Sequence, residues 1–154
     1  MTHKTLFFLL SLIGFLICGN GLSAHCQVPC GIYDDHAKVK SLLEDADTVI
    51  KASIQLENLS GKSDAQYINQ MVRWIDNKEL HAQSIIETIC DYFLTQRDKP
   101  QDADYQQRLS NHHAVIIAAM KSKQNASQAH AQKLKESIEA LLEYYPALTI
   151  THKH

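Results

Sequence analysis

Four apolar stripes at helical spacing, separated by chain breakers, constrain the fold of this sequence more than any other feature. Val39, Leu42, Leu43, Ala46, Val49, Ile50 and Ile54 recur at steps of three and four, the period of one helix face. Asp34 or Asp35 is placed to cap this helix, and Gly61 to end it. A second stripe starts near Ser63 or Asp64 and runs through Ile68, Met71, Val72, Ile75, Ile85, Ile86, Ile89 and Phe93. It must stop before Pro100, which cannot donate to a helical ladder. A third helix is expected over about 102–123, with Leu109, Ile116, Ile117 and Met120 as its apolar line. The fourth runs from a Ser127 cap to about residue 145, with Leu134, Ile138, Leu141 and Leu142 inward and Pro146 beyond. No alternating run of β-branched residues competes. Four amphipathic helices on short loops predict an all-α fold, an antiparallel four-helix bundle, with a non-helical segment at the N-terminus.

The first 24 residues, MTHKTLFFLLSLIGFLICGNGLSA, follow a different pattern. Lys4 provides a basic start, residues 6–18 an apolar core short for a bilayer span, and Ser23 and Ala24 a small-residue end. This is the pattern of a secretory signal peptide, removed from the mature protein. An uncleaved membrane anchor is the rival reading; a lipoprotein cut before Cys18 is disfavoured by bulky Ile17. The expectation is therefore an exported protein, periplasmic or extracellular, with one domain over residues 25–154. A formal net charge of −2 and the absence of a polybasic run argue against nucleic acid and against an anionic membrane surface. After cleavage no stable membrane association is expected. Cys26, Cys30 and Cys90 would remain, and an odd count in an exported chain fits a disulfide framework poorly.

Cleavage after Ala24 changes the chemistry of the next stretch, HCQVPCGIY, residues 25–33. It gives His25 a free α-amine, which titrates near about 8, beside a thiol that titrates near about 8.5. A divalent metal can displace protons from both at neutral pH. Within two residues the chain then offers an amine nitrogen, the Cys26 amide nitrogen, the Cys26 thiolate and the His25 imidazole. A turn at Pro29 can return the Cys30 sulfur to the same ion. Two nitrogens and two thiolates in a plane, with an optional axial imidazole, suit nickel or copper. Zinc fits less well, because closed zinc sites usually draw on two ligand pairs and only one Cys pair is present. No CxxCH haem attachment occurs, and Cys26-x-x-x-Cys30 is not the CxxC of thioredoxin-like redox sites.

These residues resemble the N-terminal nickel hook of the nickel-dependent superoxide dismutases, H-C-x-x-P-C-G-x-Y. His25, Cys26, Pro29, Cys30, Gly31 and Tyr33 match it at every fixed position. Asp91-Tyr92-Phe93 resembles a family segment that brings a second tyrosine near the metal. The resemblance implies a homohexamer of four-helix bundles, one nickel ion per subunit, that disproportionates superoxide to dioxygen and hydrogen peroxide. It also implies metal ligation by His25, Cys26 and Cys30, a Ni(II)/Ni(III) cycle with the His25 imidazole axial in the oxidised state, and Tyr33 and Tyr92 over the open face. Two departures stand out. Gln27 occupies a position where the family often has an acid. The glutamate that steadies the axial imidazole in the family aligns with Ser41, with Glu44 and Asp45 about one turn further on.

Other readings of the same residues stay in view. Cys26 and Cys30 as a local disulfide would make this a structural bundle, and the hook without turnover would make it an exported copper- or nickel-binding module. Cys90 reads as a buried small hydrophobe and Tyr92, on spacing alone, as core. Trp74 reads as packing or an oligomer contact. His112 and His113 point about 100° apart on a helix, so they read as surface or core histidines and not as one site. His152 and His154 lie in a polar C-terminal tail. Glu136, Glu139 and Glu143 read as a solvated helix face, and Asn58 and Asn125 begin glycosylation sequons.

Overall fold

The computed structural model describes residues 33–147. Among them the chain forms four α-helices: α1 (Asp35–Leu59), α2 (Ala65–Thr88), α3 (Tyr105–Gln124) and α4 (Gln128–Glu139). Each start follows from local chemistry. Asp34 accepts from the Ala37 amide, Asp64 from those of Gln66 and Tyr67, and Ser127 from that of Ala129, so each occupies an orphan donor of a first turn. Gly61, at φ +77°, follows the Ser60 cap of α1 in the left-handed conformation that side chains avoid. Short connections join successive helices; α1 packs on α2 and α4, and α3 on the same two, closing an antiparallel bundle.

Two helix ends differ from the sequence expectation. The second helix does not stay α: residues Ile89–Arg97 wind as a π-helix before Asp98 turns extended. The Asp98 amide donates to the Phe93 carbonyl at 2.9 Å, while the Thr95 hydroxyl reaches Cys90 O and the Gln96 amide reaches Asp91 O. Three bonds spanning five residues hold the wider turn. α4 ends at Glu139, and residues Ala140–Glu143 tighten into a 3₁₀ turn.

The core holds Val39, Leu42, Ala46 and Val49 of α1, Ala82 and Ile85 of α2, Ile89 and Phe93 of the π segment, and Leu134 and Ile138 of α4. The α3 register differs in part from the expected one: Ile116 packs against the core, but Leu109 and Met120 do not. Leu109 and Met120 are each 40% exposed, and the inward line is His112, Val115, Ala119 and Ser122. Small and polar residues take the inward positions because His112 meets a buried carboxylate and alanines let the helices approach. In α2 the inward line is Lys78, Ala82 and Ile85, so Ile68, Val72 and Ile75 lie to one side and stay exposed. Lys78 is only 3% exposed, and its Nζ donates to Ser122 O at 2.6 Å and Lys123 O at 2.7 Å. It thereby satisfies the free carbonyls at the end of α3, where a cation is favoured.

Candidate functional site

The described chain enters the bundle at Tyr33, and four residues meet at that end. The Tyr33 ring stands edge-on to Tyr92, with centroids 5.9 Å apart and planes at 69°. The Tyr92 hydroxyl donates to Asp35 Oδ1 at 2.7 Å. Arg97 donates to the same carboxylate from Nε, at 2.8 and 3.0 Å, and from Nη2 at 2.7 Å. Its guanidinium carbon lies 4.3 Å from the Tyr33 ring centre, and the exposed Lys38 Nζ lies 5.5 Å from that of Tyr92. Burial first, then the hydrogen bond to Asp35, push the Tyr92 phenol well above the usual tyrosine range. Tyr92 is half-buried, and the core reading of its spacing captures one side of the ring only.

The π-helix builds this cluster. Bonding from i to i+5 brings residues five apart close to one line, so Tyr92 and Arg97 both reach Asp35 at the start of α1. In an α-helix they would diverge by about 140°. Spacing gives no sign of the Asp35–Arg97 pair: the two lie 62 positions apart in the chain, and Asp35 looks like a helix cap. The five-residue spacing from Tyr92 to Arg97 is the only sequence trace of the arrangement.

Beneath the tyrosines the interior turns polar. Phe93 contacts Tyr92 at 5.0 Å, stacks on His112 at 5.2 Å and meets Tyr145 at 4.8 Å. His112 Nδ1 lies 2.6 Å from Asp98 Oδ2 with both side chains buried, and the Tyr145 hydroxyl donates to Asp98 Oδ1 at 3.2 Å. Burial first, then the Asp98 charge, raise the Tyr145 phenol as well. His36 Nδ1 donates to Tyr145 O at 2.9 Å, tying α1 to the chain just past the 3₁₀ turn.

His25, Cys26 and Cys30 lie outside the described residues, as do His152 and His154. Among the described residues no group of three or more His, Cys, Asp or Glu side chains is placed to hold a metal ion. No described helix is long and apolar enough to cross a membrane. Cys90 is a free thiol, half-buried where full burial was expected; burial first, then neighbouring Asp91, raise its thiol. Ser41 and Glu44 are exposed, and Asp45 is engaged by His81 Nδ1 at 2.6 Å and by the Ser84 hydroxyl at 3.0 Å. His112 is a core histidine, His113 is exposed, and Trp74 is half-buried beside a shallow groove with Arg73 and Leu80.

The described residues thus define a four-helix bundle whose point of chain entry is framed by two tyrosines and an arginine–carboxylate pair. The model of the nickel-containing superoxide dismutase family matches residues 20–148, nearly the whole chain. The chain belongs to the nickel-containing superoxide dismutase family. No match is found among curated proteins or among solved structures.

Proposed function

We propose that residues 25–154 form the mature dismutase domain, released by removal of residues 1–24 on export to the periplasm or the medium. The site would then form from the His25 amine, the Cys26 amide nitrogen and the Cys26 and Cys30 thiolates, one nickel ion per subunit. Bound there, nickel supplies the one-electron Ni(II)/Ni(III) couple that lets one superoxide be oxidised and the next reduced. The donor set fits the ion: anionic thiolates and a deprotonated amide are strong electron donors that favour the higher oxidation state. The His25 imidazole would supply a further nitrogen donor that helps to stabilise the higher oxidation state.

The single observation that carries this reading is the pairing of Tyr33 with Tyr92 at the bundle end. Cys30 precedes Tyr33 by three residues, so covalent reach alone keeps its backbone within about 11 Å of that of Tyr33. Tyr33 and Tyr92 restrict entry to small molecules and order water, and they limit the time that peroxide spends near oxidisable thiolates. The exposed side chains Ile68, Val72, Ile75 and Leu80 on α2 support burial against further subunits, in keeping with a homohexamer.

Replacing His25 by Ala, with the amine retained, tests the assignment. Dismutation should collapse while nickel still binds to the amine, amide and thiolate donors. Unchanged turnover would remove the imidazole from the mechanism, and retained nickel with no turnover even in the parent chain would favour a binding module.

A further inference from the structure

We propose that Asp35 and Arg97 are a positioning pair that fixes both site tyrosines and leaves Tyr92 only a hydrogen-bond acceptor towards the metal site. The inference rests on the reading of Tyr33 and Tyr92 as the residues over the hook. A phenol carries one proton, and that of Tyr92 is committed to Asp35 Oδ1 at 2.7 Å. Only a lone pair remains for water or substrate, so the proton that completes hydrogen peroxide comes from a group other than Tyr92. The same carboxylate is gripped by Arg97 through two nitrogens, which fixes its plane as well as its position. The other side of that guanidinium chemistry faces Tyr33, whose ring centre lies 4.3 Å from Arg97 Cζ. One ion pair thus holds one tyrosine by a hydrogen bond and the other by its ring face.

The pair is built for more than joining α1 to the π segment. A staple needs only charge, whereas this one spends a planar fork, a phenol and a ring face on residues separated by 57 and 62 positions. A lysine at position 97 would keep the charge and lose both the fork and the flat face. The charged groups about the Tyr92 phenol are Asp35, Arg97 and Asp34, with Lys38 over its ring.

The test combines phenolate absorbance titration of the metal-free full-length chain with kcat and KM of the nickel-loaded protein, for Asp35→Asn, Arg97→Lys, Arg97→Ala, Tyr33→Phe and Tyr92→Phe. Asp35→Asn should lower the titration of one phenol by about one pH unit or more, since the carboxylate that retains its proton is gone. Tyr92→Phe should remove that phenol from the Asp35→Asn curve, which identifies it. Arg97→Lys should keep the melting temperature near that of the parent and reduce kcat severalfold, and Arg97→Ala should reduce it further. Unmoved phenols in Asp35→Asn, or full kcat in Arg97→Lys, would overturn the proposal. Because the titration uses metal-free protein, it answers even if dismutation is absent. Shifted phenols together with parental turnover in Tyr33→Phe and Tyr92→Phe would instead refute the reading of the two tyrosines.

Discussion

The proposed hook and the bundle end at Tyr33 are specified in opposite ways. Every donor proposed for the metal falls within six residues, His25 to Cys30, so the chemistry is written as a local string. The bundle end draws Tyr33 and Asp35 from the entry into α1, Tyr92 and Arg97 from the π segment, and Phe93 with Tyr145 beneath them. A local motif can be lost or gained by a single substitution without disturbing the fold. A surface assembled across sixty positions depends on the packing of the whole domain, and changes to it should register in stability as well as in turnover.

The sharpest way to break this contrast is at the thiolates. Cys26→Ser or Cys30→Ser should lower nickel affinity and dismutation by more than about 100-fold while leaving the helical circular dichroism and melting curve of the metal-free chain unchanged. Phe93→Ala should do the reverse. Phe93 is fully buried and touches Tyr92, His112 and Tyr145, so its loss should cost about 3–5 kcal/mol by denaturant unfolding. Asp98→Ala leaves the His112 ring and the Tyr145 hydroxyl without their buried partner, with an expected cost of about 3 kcal/mol. Lys78→Met keeps the volume but strands two carbonyls of α3, for about 1–3 kcal/mol with no change in nickel content.

The smallest effect is in alkali. The folded chain holds the Tyr92 and Tyr145 protons more tightly than the unfolded chain, whose phenols titrate near about 10. Their contribution is therefore full below that pH and falls as pH rises beyond it. Urea midpoints measured from pH 8 to 11 should decline at the top of the range, and Tyr92→Phe should flatten part of the decline.

The sequence made the helical class legible because apolar spacing survives in α1, α4 and the second half of α2. It misled in α3, where His112, Ala119 and Ser122 point inward in place of the more hydrophobic Leu109 and Met120. The reason is physical: a histidine set 2.6 Å from a buried carboxylate is drawn inward, which apolar spacing rules do not count. Lys78 misleads in the same direction, a charge made interior by the end of a neighbouring helix. Tyr33 and Tyr92 were legible as candidates through the motif and the DYF segment. Asp35 and Arg97 were not, because a π-helix changes which residues share a face, and apolar periodicity carries no sign of it.

The measurement that tests the central claim most directly is the intact mass and N-terminal sequence of the natively exported protein with its metal retained. The account predicts a chain that starts at His25, carrying one nickel ion per subunit. A mature chain that starts at any other residue would deprive the site of its terminal amine and contradict the mechanism.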